Sequence, residues 1–596
     1  MARPGPSFSY YKLLGSQAGT AMRESSFFER IERNLAPASE IARHARAALN
    51  AFDPLQPSEA ARHLAAGFRA VRSSLGRSGD QPSERKLRQF QEALALSLGL
   101  ELEAQVRPDQ PVTGMPALFR PFTTFRLATH GQCFDVDVVF HRPAEQGVEL
   151  LRLELIAPPG WSPRQEGSGK FTVCVPAQAA ATQAFWQRDS VRQMTYRLDS
   201  AEWFGHPLPP PPLLARATYR LEGVEATLDS EVQTSQIDSL GLQHYRNLAI
   251  GPKLSVEFAG GFGVMPLSRN QYEARIAVRN LGKEPVETDL RLGLPSGWVS
   301  EPGHVSVRLD REDEESRVTF RLMSPAGTPA GDYSLEAVAS AGGLMYHGGF
   351  VAHTYPGLET LYLSRPAIHT VRRVDVQVAA PLRVGYVMGT GDNVPDTLSQ
   401  LGVDFDLLDS ATLATGELSR YDTILLGIRT YAARSDVKTH NPRLLEYVRN
   451  GGVLIVQYNT PEFDNNYGPF PYKMGNNPEE VSEEGSPMTI LAPQDPVFRR
   501  PNLISSRDFD GWIEQRGSKF LAEWDARYKP LLETRDTGQT PQRGGWVVAP
   551  YGEGLYIYCA YAWYRQLPFA VPGAVRLFAN LISLGARTKQ GRTAGL

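Results

Sequence analysis

The sequence predicts a multidomain α+β protein with four parts: an N-terminal helical segment, two antiparallel β-sandwiches and a C-terminal α/β domain. Three observations carry this. The length, 596 residues, asks for three or four separate cores. The hydrophobic period shifts from helical to two near residue 101. Near residue 380 it changes again, to buried strand runs that alternate with helices.

In chain order, residues 1–100 read as the helical region. Ile41, Ala45, Ala48, Leu49 and Phe52 recur at helical spacing. So do Leu64, Phe68, Val71 and Leu75, and then Leu87, Phe90, Leu94 and Leu98. Ser58 and Ser83 fit N-caps, and Gly76 and Gly99 fit stops. These apolar stripes must pack on one another or on a separate chain. Residues 101–245 read as the first sandwich, with alternation at Leu151, Leu153, Leu155 and at Phe171, Val173, Val175. The proline run Pro209 to Pro212 belongs in a loop or edge connection. Residues 246–360 read as the second sandwich, from Tyr272, Ala274, Ile276, Val278 and from Val318, Phe320, Leu322. The segments Leu153–Trp161 and Leu290–Trp298 both end a strand in a Pro-x-Gly turn followed by Trp, which favours two related sandwiches. Both tryptophans are expected to pack in a core or edge. Residues 375–590 form the α/β domain. Its strands are expected near 382–388, 405–409, 422–428 and 453–458, with a helix near 442–450 and a late hairpin through Gly552-Glu553-Gly554.

Composition excludes several classes. A formal net charge of −3 gives no long-range pull toward nucleic acid or an anionic membrane. No stretch reaches the roughly 18 apolar residues of a membrane span. Met1–Pro6 lacks the apolar core of a signal peptide, which by itself points to the cytoplasm. The three cysteines are too few for a disulfide framework. A Cys133–Cys174 bridge within one β-domain is open, but buried small hydrophobes are the favoured reading.

In open α/β sheets, ligands lie beyond the carboxyl ends of the strands. Three such ends carry polar groups here: Gly389, Thr390, Gly391 and Asp392; Arg429 and Tyr431; Gln457 and Asn459. Asp508, Trp512 and Arg565 join them from later loops. Together they suggest a carbohydrate-type pocket, with rings stacking on sugar faces and carboxylates or amides bonding hydroxyls. The loop from Asn465 to Tyr472 is a candidate lid. Gly389-Thr390-Gly391 is neither a P-loop nor a dinucleotide fingerprint.

The run Gly544-Gly545-Trp546-Val547-Val548-Ala549-Pro550-Tyr551-Gly552, with Arg565-Gln566-Leu567-Pro568, Pro572 to Leu581 and Arg507 to Trp512, resembles the C-terminal region of long bacterial PIG-L/LmbE-type deacetylases. Those proteins cleave N-acetyl groups from N-acetylglucosamine-type substrates. The resemblance implies a flavodoxin-like, class I amidotransferase-like C-terminal domain. The segments Val278-Arg279-Asn280 and Pro329 to Tyr333 resemble accessory sandwiches of bacterial glycosidases. The family's zinc motif has no counterpart, because His206-Pro207 continues into Leu208-Pro209 where two carboxylates are required. The amidotransferase nucleophile is missing too: Gln457 runs into Tyr458-Asn459-Thr460, and the last histidine is His440. The expectation is therefore no catalytic residue, no metal and no cofactor. The chain reads as a carbohydrate-related binding and scaffolding protein, partnered by a separately encoded PIG-L-type deacetylase. The family context implies the periplasm or the cell exterior. Two alternatives stand beside this reading: a hydrolase using Asp392 or Asp508, and a purely structural interaction module.

Overall fold

A computed structural model describes residues 38–78, 81–108, 122–143, 147–188, 193–464, 467–475 and 480–593. The chain divides into two compact units: Met1–Ala179 with Pro210–Ile250, and Ala180–Pro209 with Gly251–Leu596. The protein is multidomain and mostly β-sheet, with fewer helices.

In the first unit, α1 (Ala38–Ala51), α2 (Ala61–Ser78) and α3 (Gln81–Ser97) form a helical layer. Ile41, Leu64, Phe68, Val71, Phe90 and Leu94 bury their stripes against one another and against Tyr219, Leu221, Val224 and Ala226 of a three-stranded sheet. Gly67 lets α2 approach α3, since a Cβ there would lie 2.2 Å from the Phe90 ring. The expected boundaries are corrected in three places. Ser58 sits inside a 3-10 turn, Pro57–Ala60, whose N-cap is Gln56. Ser83 lies within the first turn of α3, and Gly76 lies inside α2. Leu49 and Phe52, expected on the buried stripe, are 74% and 53% exposed.

The sandwich beneath the helices pairs that three-stranded sheet with a six-stranded one. It is not wholly antiparallel, because Glu101–Val106 runs parallel to Gln233–Ile237. The cysteine expectation is also overturned. Cys133 and Cys174 face each other across antiparallel strands and form a disulfide, with a Cα–Cα distance of 4.0 Å. Gly131 N donates to Val175 O and Val175 N to Gln132 O, so the neighbouring backbone bonds hold the two cysteines opposite one another.

In the second unit, a four-stranded and a six-stranded sheet enclose a core of Leu254, Ile276, Val278, Leu290, Phe320, Leu335 and Ala337. Gln271–Asn280 alternates exposed and buried residues along nearly its whole length, the pattern its sequence predicts. Trp298 is buried in this core, against Tyr333. Here too one pairing is parallel: β1 (Phe262–Pro266) with β2 (Ile368–Val374), the latter beyond the expected end at 360.

The chain then enters a seven-stranded sheet. β3 (Arg383–Val387) lies between Asp404–Leu407 and β4 (Thr423–Leu426); β5 (Val453–Gln457) and β6 (Gly554–Cys559) follow, all parallel. The expected late hairpin adds Trp546–Tyr551 antiparallel, and Lys529–Pro530 pairs beyond it at the edge. α4 (Val394–Leu401) follows β3. The helix expected from 442 begins at Ser435 and carries Pro442 in its interior. Cys559 is fully buried in β6, and burial pushes its thiol up to about 12.

Cleaving the disulfide opens a loop with a sequence separation of 41. Its loss is expected to cost the first unit about 4 kcal/mol on the chain-entropy account. Calorimetry of Cys133→Ser/Cys174→Ser should therefore show one transition lowered and the transition of the second unit unmoved.

Candidate functional site

The structure does bring eight of the expected residues together at the ends of β3, β4 and β5. It also turns most of their polar atoms inward. The Asp392 carboxylate accepts from Tyr386 O–H at 2.6 Å, from Val394 N at 3.1 Å and from Ile428 N at 3.3 Å. Gly389 packs against Ile428, whose carbonyl O would lie 1.9 Å from a Cβ. Tyr431 is fully buried; its hydroxyl donates to Asn441 Oδ1 and its ring stacks on Tyr467 at 4.6 Å. Asn459, also buried, accepts from Tyr431 N and donates to Gln457 O. Gln457 Nε2 donates to Leu426 O. These groups tie strand ends to each other, so Asp392, Tyr431, Gln457 and Asn459 are corrected from ligand contacts to structural ones. Thr390, Gly391 and Arg429 stay exposed, with Arg429 held at a φ of +53°.

Asp508, Trp512 and Arg565 gather elsewhere. Asp508 closes a capping box with Ser505 and pairs with Arg576 at 2.8 Å. Trp512 is 1% exposed, wedged against Trp563, and donates to Asp508 O. Arg565 pairs with Glu514. Asp508 and Trp512 are core groups, not sugar contacts. The candidate lid is corrected as well: Tyr467, Phe470 and Tyr472 pack inward on Tyr431, Tyr528 and Phe463, while Asn465 and Asn466 lie outside the described residues.

A cleft of about 1400 Å³ lies within the second unit. One wall is the outer face of Gln271–Asn280 and its partner Glu315–Met323, presenting Gln271, Glu273, Arg275 and Arg321. The opposite wall is α4, with Asp396, Ser399 and Gln400. A short strand pair, Trp186–Gln187 and Arg197–Leu198, brings Trp186 and Tyr196 to the mouth with ring centroids 5.0 Å apart. Tyr196 is 54% exposed. Arg188 stands over the Tyr196 ring, and Arg275 pairs with Asp396 at 3.4 Å.

The cleft floor is pinned by a buried relay. Tyr272 O–H donates to His369 Nε2 at 2.8 Å, and His369 Nδ1–H donates to Gly260 O at 2.6 Å. Gly263 makes room for this, since a Cβ there would lie 1.9 Å from the Tyr272 hydroxyl. Burial lowers the His369 pKa, outweighing the carbonyl bond, and raises that of Tyr272. The walls carry charged and amide side chains, with Trp186 and Tyr196 beside them.

Sequence reasoning missed this cleft. The outward residues of 271–280 were visible as the polar half of a strand, but nothing local joins them to Trp186 or to α4. Among the described residues no cluster of His, Cys, Asp and Glu could hold a metal ion, and no helix is long and apolar enough to cross a membrane.

Residues 270–342 match the family model of the NPCBM-associated, NEW3 domain of alpha-galactosidase. That span is the sandwich behind the first wall of the cleft. No curated protein matches the chain. Among solved structures, native alpha-2-macroglobulin from Escherichia coli, from domain MG7 to the C-terminus, is 13% identical; the match covers 20% of this chain and 17% of that one, at a TM-score of 0.13. The E. coli chaperone DraB is 16% identical over 21% of this chain and 58% of its own (0.14). A family 123 glycoside hydrolase from Clostridium perfringens is 9% identical over 34% and 38% (0.14). At these scores the structural likenesses carry no argument.

Two outcomes test the placement. Trp512→Ala should destabilise the second unit by about 3–5 kcal/mol, read by denaturant unfolding, as expected for emptying a core site. Burial lowers the His369 pKa in the folded state, so its stabilising share is complete above its ordinary pKa of 6.5. That share declines as pH falls below this value, where the unfolded chain binds the proton first. His369→Gln should flatten the loss of melting temperature between about pH 7 and about pH 5.

Proposed function

We propose that the chain is a non-catalytic, carbohydrate-binding and scaffolding protein whose glycan lies in the cleft beside the NEW3-like sandwich. The match at 270–342 to a domain associated with carbohydrate-binding modules of glycosidases carries this reading. The cleft geometry supports it: two aromatic rings at the mouth and a wall of amide and charged side chains are what a sugar ring and its hydroxyls ask for.

We further propose that the chain belongs to the PIG-L/LmbE deacetylase group as an accessory part, working with a separately encoded zinc deacetylase. The domain order supports this: helices, two sandwiches, then a parallel sheet with the strand order 404–407, 383–387, 423–426, 453–457. That order is the one a flavodoxin-like, amidotransferase-like domain uses. Hydrolysis through Asp392 or Asp508 loses support, because both carboxylates are engaged in structural bonds. The filled strand ends favour a structural role for the α/β domain itself.

Binding is tested by titration calorimetry of the whole chain against oligosaccharides. Trp186→Ala is expected to weaken binding by up to about tenfold, the loss of one stacked ring. Unchanged affinity would move the glycan away from this cleft.

A further inference from the structure

We infer that the glycan is acidic: an oligosaccharide bearing carboxylate, sulfate or phosphate groups. This rests on the glycan reading of the cleft. Among the described residues, five arginines line it, Arg188, Arg269, Arg275, Arg321 and Arg365, against two carboxylates, Glu273 and Asp396. The surplus is three positive charges on a chain whose net charge is −3. Two of the five are accounted for by the protein. Arg275 pairs with Asp396. The Arg269 guanidinium lies against Gly402, at the C-terminal end of α4, where a helix favours a cation.

Arg188, Arg321 and Arg365 are exposed and have no carboxylate within ion-pair distance among the described residues. Among the described residues, Arg188 stands over the Tyr196 ring, 5.4 Å from its centroid. Arg321 stands opposite Glu273 across the strand pair, and no ion pair forms. His369 is buried, and burial disfavours a charge on it. A guanidinium presents a planar fork of donors that matches an oxyanion, and here three such forks share a cleft with two rings able to hold sugar faces.

The test compares hexagalacturonate and a heparin hexasaccharide with their neutral counterparts, methyl-esterified hexagalacturonate and chitohexaose, by titration calorimetry. An acidic probe should bind about tenfold or more tightly than any neutral one. Its affinity should fall as sodium chloride rises from about 50 to about 500 mM. Arg321→Gln/Arg365→Gln, both exposed positions, should remove that preference while leaving the fold intact by circular dichroism. Equal binding of neutral and acidic probes overturns the inference and leaves the glycan reading standing. No binding by either set overturns both. Acidic binding that survives the double variant, or equal binding of a single-stranded oligonucleotide, also overturns it.

Discussion

The joint between the second sandwich and the α/β domain is the constraint on which the cleft depends. β1 would otherwise present an open edge, and unpaired edge groups seek partners. Instead Val264 N donates to Gln400 Oε1 at 2.7 Å, and the Val264 side chain enters the core of the α/β domain. Arg372, on the parallel neighbour β2, pairs with Asp332 and donates to the carbonyls of Phe569 and Ala570. Phe262 packs against Phe569 with centroids 5.6 Å apart. The first contact ties α4 to the sandwich and the others tie Phe569 and Ala570 to it, so the two walls of the cleft belong to one compact unit. The Tyr272–His369–Gly260 relay then sets the floor from beneath.

The same physics closes the strand ends. A carboxylate or amide at the end of a parallel strand must be solvated or bonded. Asp392, Asn459 and Gln457 are bonded, to backbone groups of the neighbouring strand ends. Their polarity marks the cost of ending three strands side by side within the protein. A polar strand end in a sequence has two explanations, a ligand or a neighbouring strand, and only the packing separates them.

What was legible in the sequence followed from local period. The 271–280 alternation, the buried β3, β4 and β5 runs and the late hairpin are each specified within about ten residues, so their spacing carries them. What was not legible depended on partners far along the chain. Cys133 and Cys174 become neighbours only once two strands adopt one register. β1 pairs parallel with a strand more than a hundred residues away, which no local pattern announces. Tyr431 and Trp512 looked available because aromatic residues beside glycines and carboxylates suit either a binding surface or a core; here both are core. Pro442 reads as a helix start by its rigid φ, yet the helix extends seven residues before it.

The shape of the cleft bears on how a ligand would be held. At about 1400 Å³ it exceeds the roughly 300–1,000 Å³ typical of small-molecule sites, which suits a stretch of polymer better than one sugar. Its rings stand at the mouth, where Trp186 is half-buried and Tyr196 is exposed, so stacking would occur next to water and contribute modestly at each ring. The arginines are likewise exposed and screened by salt. A site built from several modest contacts gains affinity with the length of the ligand engaged. It gains little from enclosing a single residue. That is the behaviour expected of a protein that retains a polymer.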